Sequence, residues 1–303
     1  MTKPAICINP VTSYDTPFGQ LLCDSTTVDR VNEVRPYILE FEITNKCAGS
    51  CKYCLSSSTG AKDTHLPQDK ILEILEDSWE IGIRQIDWTG GDIFLHPNWY
   101  EMAQYAAQKG FRNQIQASSL ISKRDAKRLY DLRESICSVT IHIDTLIQED
   151  YNELHDNPAT LAQKIQGYHH LLDTGFPKEK TAGIITFSKP AARSIEQTID
   201  WFVDQMGAHA ICFTQFMTTG FGIENRHLEP SLAEVKGAME YRAKKLGQHW
   251  LRIGASDIGM FFCRTAISIK CYGDVTPCQC LDNLAVGNIY EKPLTLIFEE
   301  NRD

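Results

Sequence analysis

Apolar positions along this chain follow two alternating periods. Short runs rich in β-branched and aromatic residues predict strands: YILEFEIT (37–44), RQIDWTGG (84–91), FRNQIQASS (111–119), SVTIHID (138–144), KTAGIITFS (180–188) and HAICFTQFM (209–217). Between them lie segments with helical spacing. In LPQDKILEILEDSWEIGI the residues Ile71, Leu72, Leu75 and Trp79 share one face. NWYEMAQYAAQKG ends at Gly110, where a glycine cap belongs. SKRDAKRLYDLR, NPATLAQKIQGYHHLLDTG, SIEQTIDWFVDQMG and SLAEVKGAMEYRAKKLG complete the set. Six strand–helix pairs imply an α/β fold of parallel βαβ units with right-handed crossovers.

Composition narrows the function. The 303 residues carry a net charge of −9, which excludes a nucleic-acid partner, since phosphate binding needs clustered Lys and Arg. No apolar run approaches the ~18 residues that would span a membrane. The first fifteen residues carry no apolar signal core, so the expected location is cytoplasmic. Eleven cysteines in a chain of this length point to metal binding rather than a disulfide framework.

The cysteines fall into two groups. NKCAGSCKYC places Cys47, Cys51 and Cys54 just after the first strand, at the end where parallel α/β folds collect their active sites. Three thiols cannot close a tetrahedral zinc site. A 4Fe–4S cubane normally takes four thiolates, so three leave one iron open to a ligand from outside the protein. C-x3-C-x2-C in this position resembles the signature of the radical S-adenosylmethionine (SAM) superfamily. The resemblance implies a partial (β/α)6 barrel over residues 37–230, following an N-terminal extension (1–36). It also implies that the methionine amine and carboxylate of SAM chelate the open iron. One electron from the cluster then cleaves SAM, usually to a 5′-deoxyadenosyl radical that abstracts a substrate hydrogen atom. Tyr53 stands where the family has an aromatic beside the adenine. TGGD, with Gly90, Gly91 and Asp92, resembles the motif that holds the SAM amino group. Asp92 is one methylene shorter than the family's Glu. His142 and Asp144 on the fourth strand are further cofactor-binding candidates, with a hydrogen-bonded core histidine as the alternative for His142. His155 and Asp156 match part of the family's HD-x-x-R, whose Arg meets the SAM carboxylate, but Ala159 fills the Arg position. Arg193 is a possible substitute, and a solvated surface arginine is its plainer reading. Adjacent His169 and His170 do not share a helix face and make a poor metal pair.

The second group, Cys263, Cys271, Cys278 and Cys280, contains C-x9-G-x4-C through Gly273. It resembles the SPASM or twitch extension of the superfamily, which implies a β-hairpin plus helix over residues 231–303 binding a second, auxiliary 4Fe–4S cluster. YGD suits the hairpin turn. Cys278 and Cys280 are two apart on an expected strand, and Cys271 is the fourth ligand candidate. A structural zinc knot is the alternative. Cys137 and Cys212 are candidate hydrogen-atom donors, although an apolar strand cysteine is usually a small core residue. The resemblance implies an enzyme that oxidatively modifies a peptide by crosslinking, epimerisation or other C–H functionalisation. An external donor such as flavodoxin or ferredoxin would reduce it. The alternatives are a dehydrogenase or epimerase of a small-molecule natural product, and a non-enzymatic iron–sulfur carrier.

Overall fold

The computed structural model describes residues 36–246, 266–281 and 283–301. The expected N-terminal extension, apart from its last residue Pro36, and Cys263 lie outside them. The strands are β1 (Ile38–Glu42), β2 (Gln85–Thr89), β3 (Arg112–Gln116), β4 (Ile136–His142), β5 (Thr181–Thr186), β6 (Ala210–Thr214), β7 (Ala266–Ile269), β8 (Asp274–Thr276) and β9 (Gly287–Asn288). The helices are α1 (Gln68–Ile81), α2 (Trp99–Lys109), α3 (Lys123–Asp131), α4 (Gln148–Leu154), α5 (Thr160–Asp173), α6 (Lys189–Arg193), α7 (Ile195–Asp200), α8 (Leu232–Lys245) and α9 (Leu294–Glu300).

One sheet runs in the order β6-β5-β4-β3-β2-β1-β7-β8-β9 and is not closed. Its first seven strands are parallel, and β8 and β9 are antiparallel additions. Strand residues alternate faces. Leu39, Phe41, Ile86, Trp88, Ile115 and Val139 join the core built with the helices, where Phe41 stacks on Trp88 at 5.7 Å. Glu40, Asp87, Gln114 and Ser138 form one register row on the opposite face, lining the barrel's inside. Asp87 is satisfied within this lumen: Gln85 Nε2 donates to its Oδ1 at 2.6 Å, and Gln116 Nε2 to its Oδ2 at 3.3 Å. A polar lumen inside an apolar shell is why the strands read as alternating rather than as continuous apolar runs.

Gly110 caps α2 in the left-handed region (φ 100°), as its position suggested. Within the barrel three expectations need correction. The sixth strand stops at Thr214, and Gln215–Met217 belong to a loop. The helix over 194–207 leaves the α form at Asp200 and continues as a π turn through Gln205, with Met206 N–H bonded to Trp201 O at 3.0 Å. Cys137 lies inside β4 rather than before it.

The C-terminal hairpin forms as expected, turning at Gly273 (φ 100°) between β7 and β8. It is continuous with the barrel, because β7 pairs in parallel with β1 through Ile38↔Ala266 to Phe41↔Ile269. At the far end α9 docks on α1, with Leu294 N–H donating to Asp77 at 2.8 Å. Cys278 and Cys280 are not on a strand. β8 ends at Thr276, Pro277 has no N–H for the ladder, and the Thr276 hydroxyl bends the chain onto Cys278 O at 3.0 Å.

Candidate active site

The segment between β1 and α1 is a loop closed at its neck. Asn45 N–H reaches Thr64 O at 3.1 Å, and Cys47 N–H reaches Thr59 O at 3.0 Å. Inside it the thiols of Cys47 and Cys51 gather round Gly49. A Cβ at that glycine would sit 3.2 Å from Cys47 Sγ and 3.6 Å from Cys51 Sγ. Backbone N–H groups point at sulfur: Gly49 to Cys47 at 3.2 Å, Ser58 to Cys54 at 3.4 Å. Cys47, Cys51 and Cys54 also feel one another electrostatically. Among the described residues no three His, Cys, Asp or Glu side chains close on a single-ion point. Three soft thiols on one loop, two of them receiving backbone N–H groups, suit the corners of an iron–sulfur cluster. Burial pushes Cys54 up to about 11. Burial would raise Cys51 too, but the charges of His155 and Lys164 overcome it and bring that thiol down to about 6.

The GGD strip ends β2 against this loop. Gly91 N–H donates to Thr44 O at 2.7 Å, and Asp92 N–H to Lys46 O at 2.8 Å. A Cβ on Gly90 (φ 130°) would lie 2.4 Å from Thr44 O, and one on Gly91 2.2 Å from Lys46 O. The close approach that demands glycine is therefore made to the cysteine loop's own backbone. Asp92 is buried, accepting from Phe94 N–H at 3.1 Å and from the Ser118 hydroxyl. Burial raises its carboxyl to about 6.

Asp144 is the hub of the opposite wall. It accepts from Tyr53 OH and from Thr186 N–H (2.8 Å), with His142 Nε2 and His155 Nε2 each at 3.2 Å. Burial would raise this carboxyl, yet the two imidazoles hold it well below the usual range. Tyr53, His142 and Asp144 thus form one hydrogen-bonded group. His155 faces Gly49 O (3.1 Å) through Nδ1 and Asp144 through Nε2, so both ring nitrogens meet acceptors and the imidazolium fits. Its ring stacks on Tyr151 at 3.9 Å.

Arg193 is about half exposed and tied to Asp150 and Glu153, each at 2.7 Å. Cys212 shares a register row with Ile184 and His142 on the lumen side. Cys137 lies at the other end of β4, within 3.5 Å of Gln85 Oε1, and burial raises its thiol to about 12.

Two site residues escaped the sequence reading. Ser119 (φ 71°) accepts the His142 N–H at 2.6 Å. Lys164 is wholly buried, and among the described residues its Nζ has no hydrogen-bond partner. It lies on the apolar stripe Leu161, Lys164, Tyr168, Leu171 of α5, and a lysine at helical spacing within such a stripe was the available signal.

At the C-terminal group, Cys278 and Cys280 are hydrogen-bonded neighbours, and that bond draws Cys278 down to about 6. The Cys271 thiol is buried, raised by burial, and bonded to Glu42 of β1. Lys270 Nζ stands 3.6 Å from Glu42 and donates to Gln279 O at 2.9 Å, while Gln279 N–H reaches Glu40 at 3.1 Å. Two acids of β1 therefore stand between the two cysteine groups.

An open parallel α/β sheet with three thiols past its first strand, and more thiols on a hairpin joined to that strand, defines an iron–sulfur protein of the barrel type. The chain belongs to the radical SAM superfamily, whose pattern matches residues 41–202. An iron–sulfur cluster-binding domain, SPASM, matches residues 261–302. The protein is therefore a radical SAM enzyme that takes a 4Fe–4S cluster and SAM, with an auxiliary cluster domain at its C-terminal end. It is similar to the antilisterial bacteriocin subtilosin biosynthesis protein AlbA of Bacillus subtilis (strain 168), at 22% identity over 87% of this chain and 59% of that protein. The chain thus spans little more than half that relative's length. An AdoMet-dependent heme synthase of Methanosarcina barkeri (strain Fusaro / DSM 804) is 22% identical over 87% of this chain and 82% of its own. Among solved structures, Streptococcus suis SuiB bound to precursor peptide SuiA shares the fold, with TM-score 0.70 and 16% identity over 90% of this chain and 68% of that one. Among the described residues no helix is long and apolar enough to cross a membrane.

Proposed function

We propose that this enzyme oxidatively modifies a peptide, by crosslinking, epimerisation or other C–H functionalisation. The observation that carries the oxidative part is the pairing of β7 with β1, which brings the hairpin cysteines to the strand that feeds Cys47, Cys51 and Cys54. Support for a peptide comes from AlbA, named for bacteriocin biosynthesis, and from SuiB, seen with a precursor peptide. When bound, the cluster and SAM supply one-electron reductive cleavage and hydrogen-atom abstraction. Cys47, Cys51 and Cys54 hold that cluster. Gly90, Gly91 and Asp92 form one wall of the SAM site, and Tyr53, His142 and Asp144 the other. Cys278, Cys280 and Cys263 are the candidate auxiliary ligands, with Cys271 held back by Glu42. Cys212 is the better placed of the two candidate hydrogen donors. A flavodoxin- or ferredoxin-like protein is the expected reductant.

The test is anaerobic turnover with SAM, dithionite and candidate precursor peptides, read by mass spectrometry. A peptide that loses two hydrogens, or changes stereochemistry, in step with 5′-deoxyadenosine supports the reading. Turnover that no peptide stimulates, but a small metabolite does, overturns it. The similarity to a heme synthase over most of both chains favours that second reading, a small-molecule substrate.

A further inference from the structure

Lys164 is a buried cation with no hydrogen-bond acceptor among the described residues. It is 0% exposed, and its Nζ lies 5.6 Å from the Tyr151 ring centroid. An ammonium out of water without a partner is costly, so such a site calls for an anion. Its charge acts on Cys51, Cys47, Asp144 and Asp92. Geometry places it beside the same group: the Tyr151 ring it faces stacks on His155 at 3.9 Å, and His155 in turn meets Asp144 at 3.2 Å and Gly49 O, between Cys47 and Cys51 in the chain, at 3.1 Å. Cys47 and Cys54 already receive the N–H groups of Gly49 and Ser58, and Cys51 has His155 as its hydrogen-bond partner. The neighbouring cations are engaged: Lys46 with Asp63 at 2.7 Å, Lys52 with Asp156 at 3.6 Å, Arg193 with Asp150 and Glu153. Ala159, where a cation was expected, caps the N-terminus of the same helix that carries Lys164.

We propose that Lys164 receives the carboxylate of the methionine end of SAM. An amino-acid group that meets the cluster through its amine and carboxylate still needs an acceptor for its amine N–H groups and a cation for its carboxylate, and Asp92 and Lys164 stand within electrostatic reach of each other. This rests on SAM binding, which family membership carries, and not on the peptide reading.

The test measures binding, not turnover. Lys164→Met is reconstituted anaerobically in the full chain, and its iron content is counted. Equilibrium dialysis then compares SAM with decarboxylated SAM. Losing one charge-assisted contact weakens SAM binding by about tenfold or more and leaves decarboxylated SAM unchanged. Lys164→Arg restores part of the affinity. Equal weakening of both ligands, or of neither, overturns the proposal. So does a shift in cluster potential without SAM while the ratio of the two affinities stays fixed, which would assign the ammonium to the cluster. If Lys164→Met loses iron, Lys164→Gln repeats the comparison, and a preference for SAM like that of wild type overturns the proposal there as well.

Discussion

Gly91 separates two explanations of a glycine motif. Its Cβ would collide with Lys46 O at 2.2 Å, so the residue supports the loop that presents Cys47. Gly91→Ala should therefore lower iron content along with SAM affinity, by iron assay and equilibrium dialysis. Iron at the wild-type level with weakened SAM binding would place the role at the ligand instead. Replacing Cys47, Cys51 and Cys54 together with Ala should abolish 5′-deoxyadenosine formation under dithionite, read by chromatography. In the lumen, burial pushes Asp87 from 3.8 to about 7. Its folded value lies above its unfolded one, so this group's contribution to stability falls as pH rises from about 4 to about 7 and is flat above. In Asp87→Asn that fall is absent. The melting-temperature difference should move in the variant's favour across this window, and a pH-independent difference would refute it. Spacing alone revealed the CxxxCxxC thiols, because a local motif holds all three. Asp144 stood out in the sequence as a candidate, but not as a hub for Tyr53 and His155, which come from separate loops.

At the scale of elements, the six strand–helix pairs were readable because each has its own period. Where α7 gives way to a π turn nothing local marks the change, since Trp201 and Phe202 keep packing into the core. The pairing of β7 with β1 was hidden for another reason: parallel strands far apart in sequence carry no mutual signal. That pairing covers an edge that would otherwise be open. A chain ending at Leu246 should expose the β1 edge and aggregate or elute as oligomers on size exclusion. A stable, monodisperse barrel would show the extension to be dispensable for the fold.

Across the whole molecule, two cysteine groups joined by one strand set the metal content. The reconstituted protein should hold about eight irons, as two cubanes. Cys278→Ala with Cys280→Ala should remove the auxiliary share. Cys271→Ala should not, because that thiol is committed to Glu42. Loss of the auxiliary electron paramagnetic resonance signal in Cys271→Ala would return it to the ligand set.

The parallel β1–β7 seam also imposes an order in time. Ile38 leaves the ribosome long before its partner Ala266. At roughly 5–20 residues per second the interval is on the order of ten seconds or more. Throughout it β1 can pair only with β2, and its other side waits as an edge. The thiols of the Cys47–Cys54 loop already exist during that wait, while the hairpin that completes the sheet does not. The chain's two cysteine groups are thus born into different surroundings, the first beside an unfinished barrel and the second against a nearly finished one.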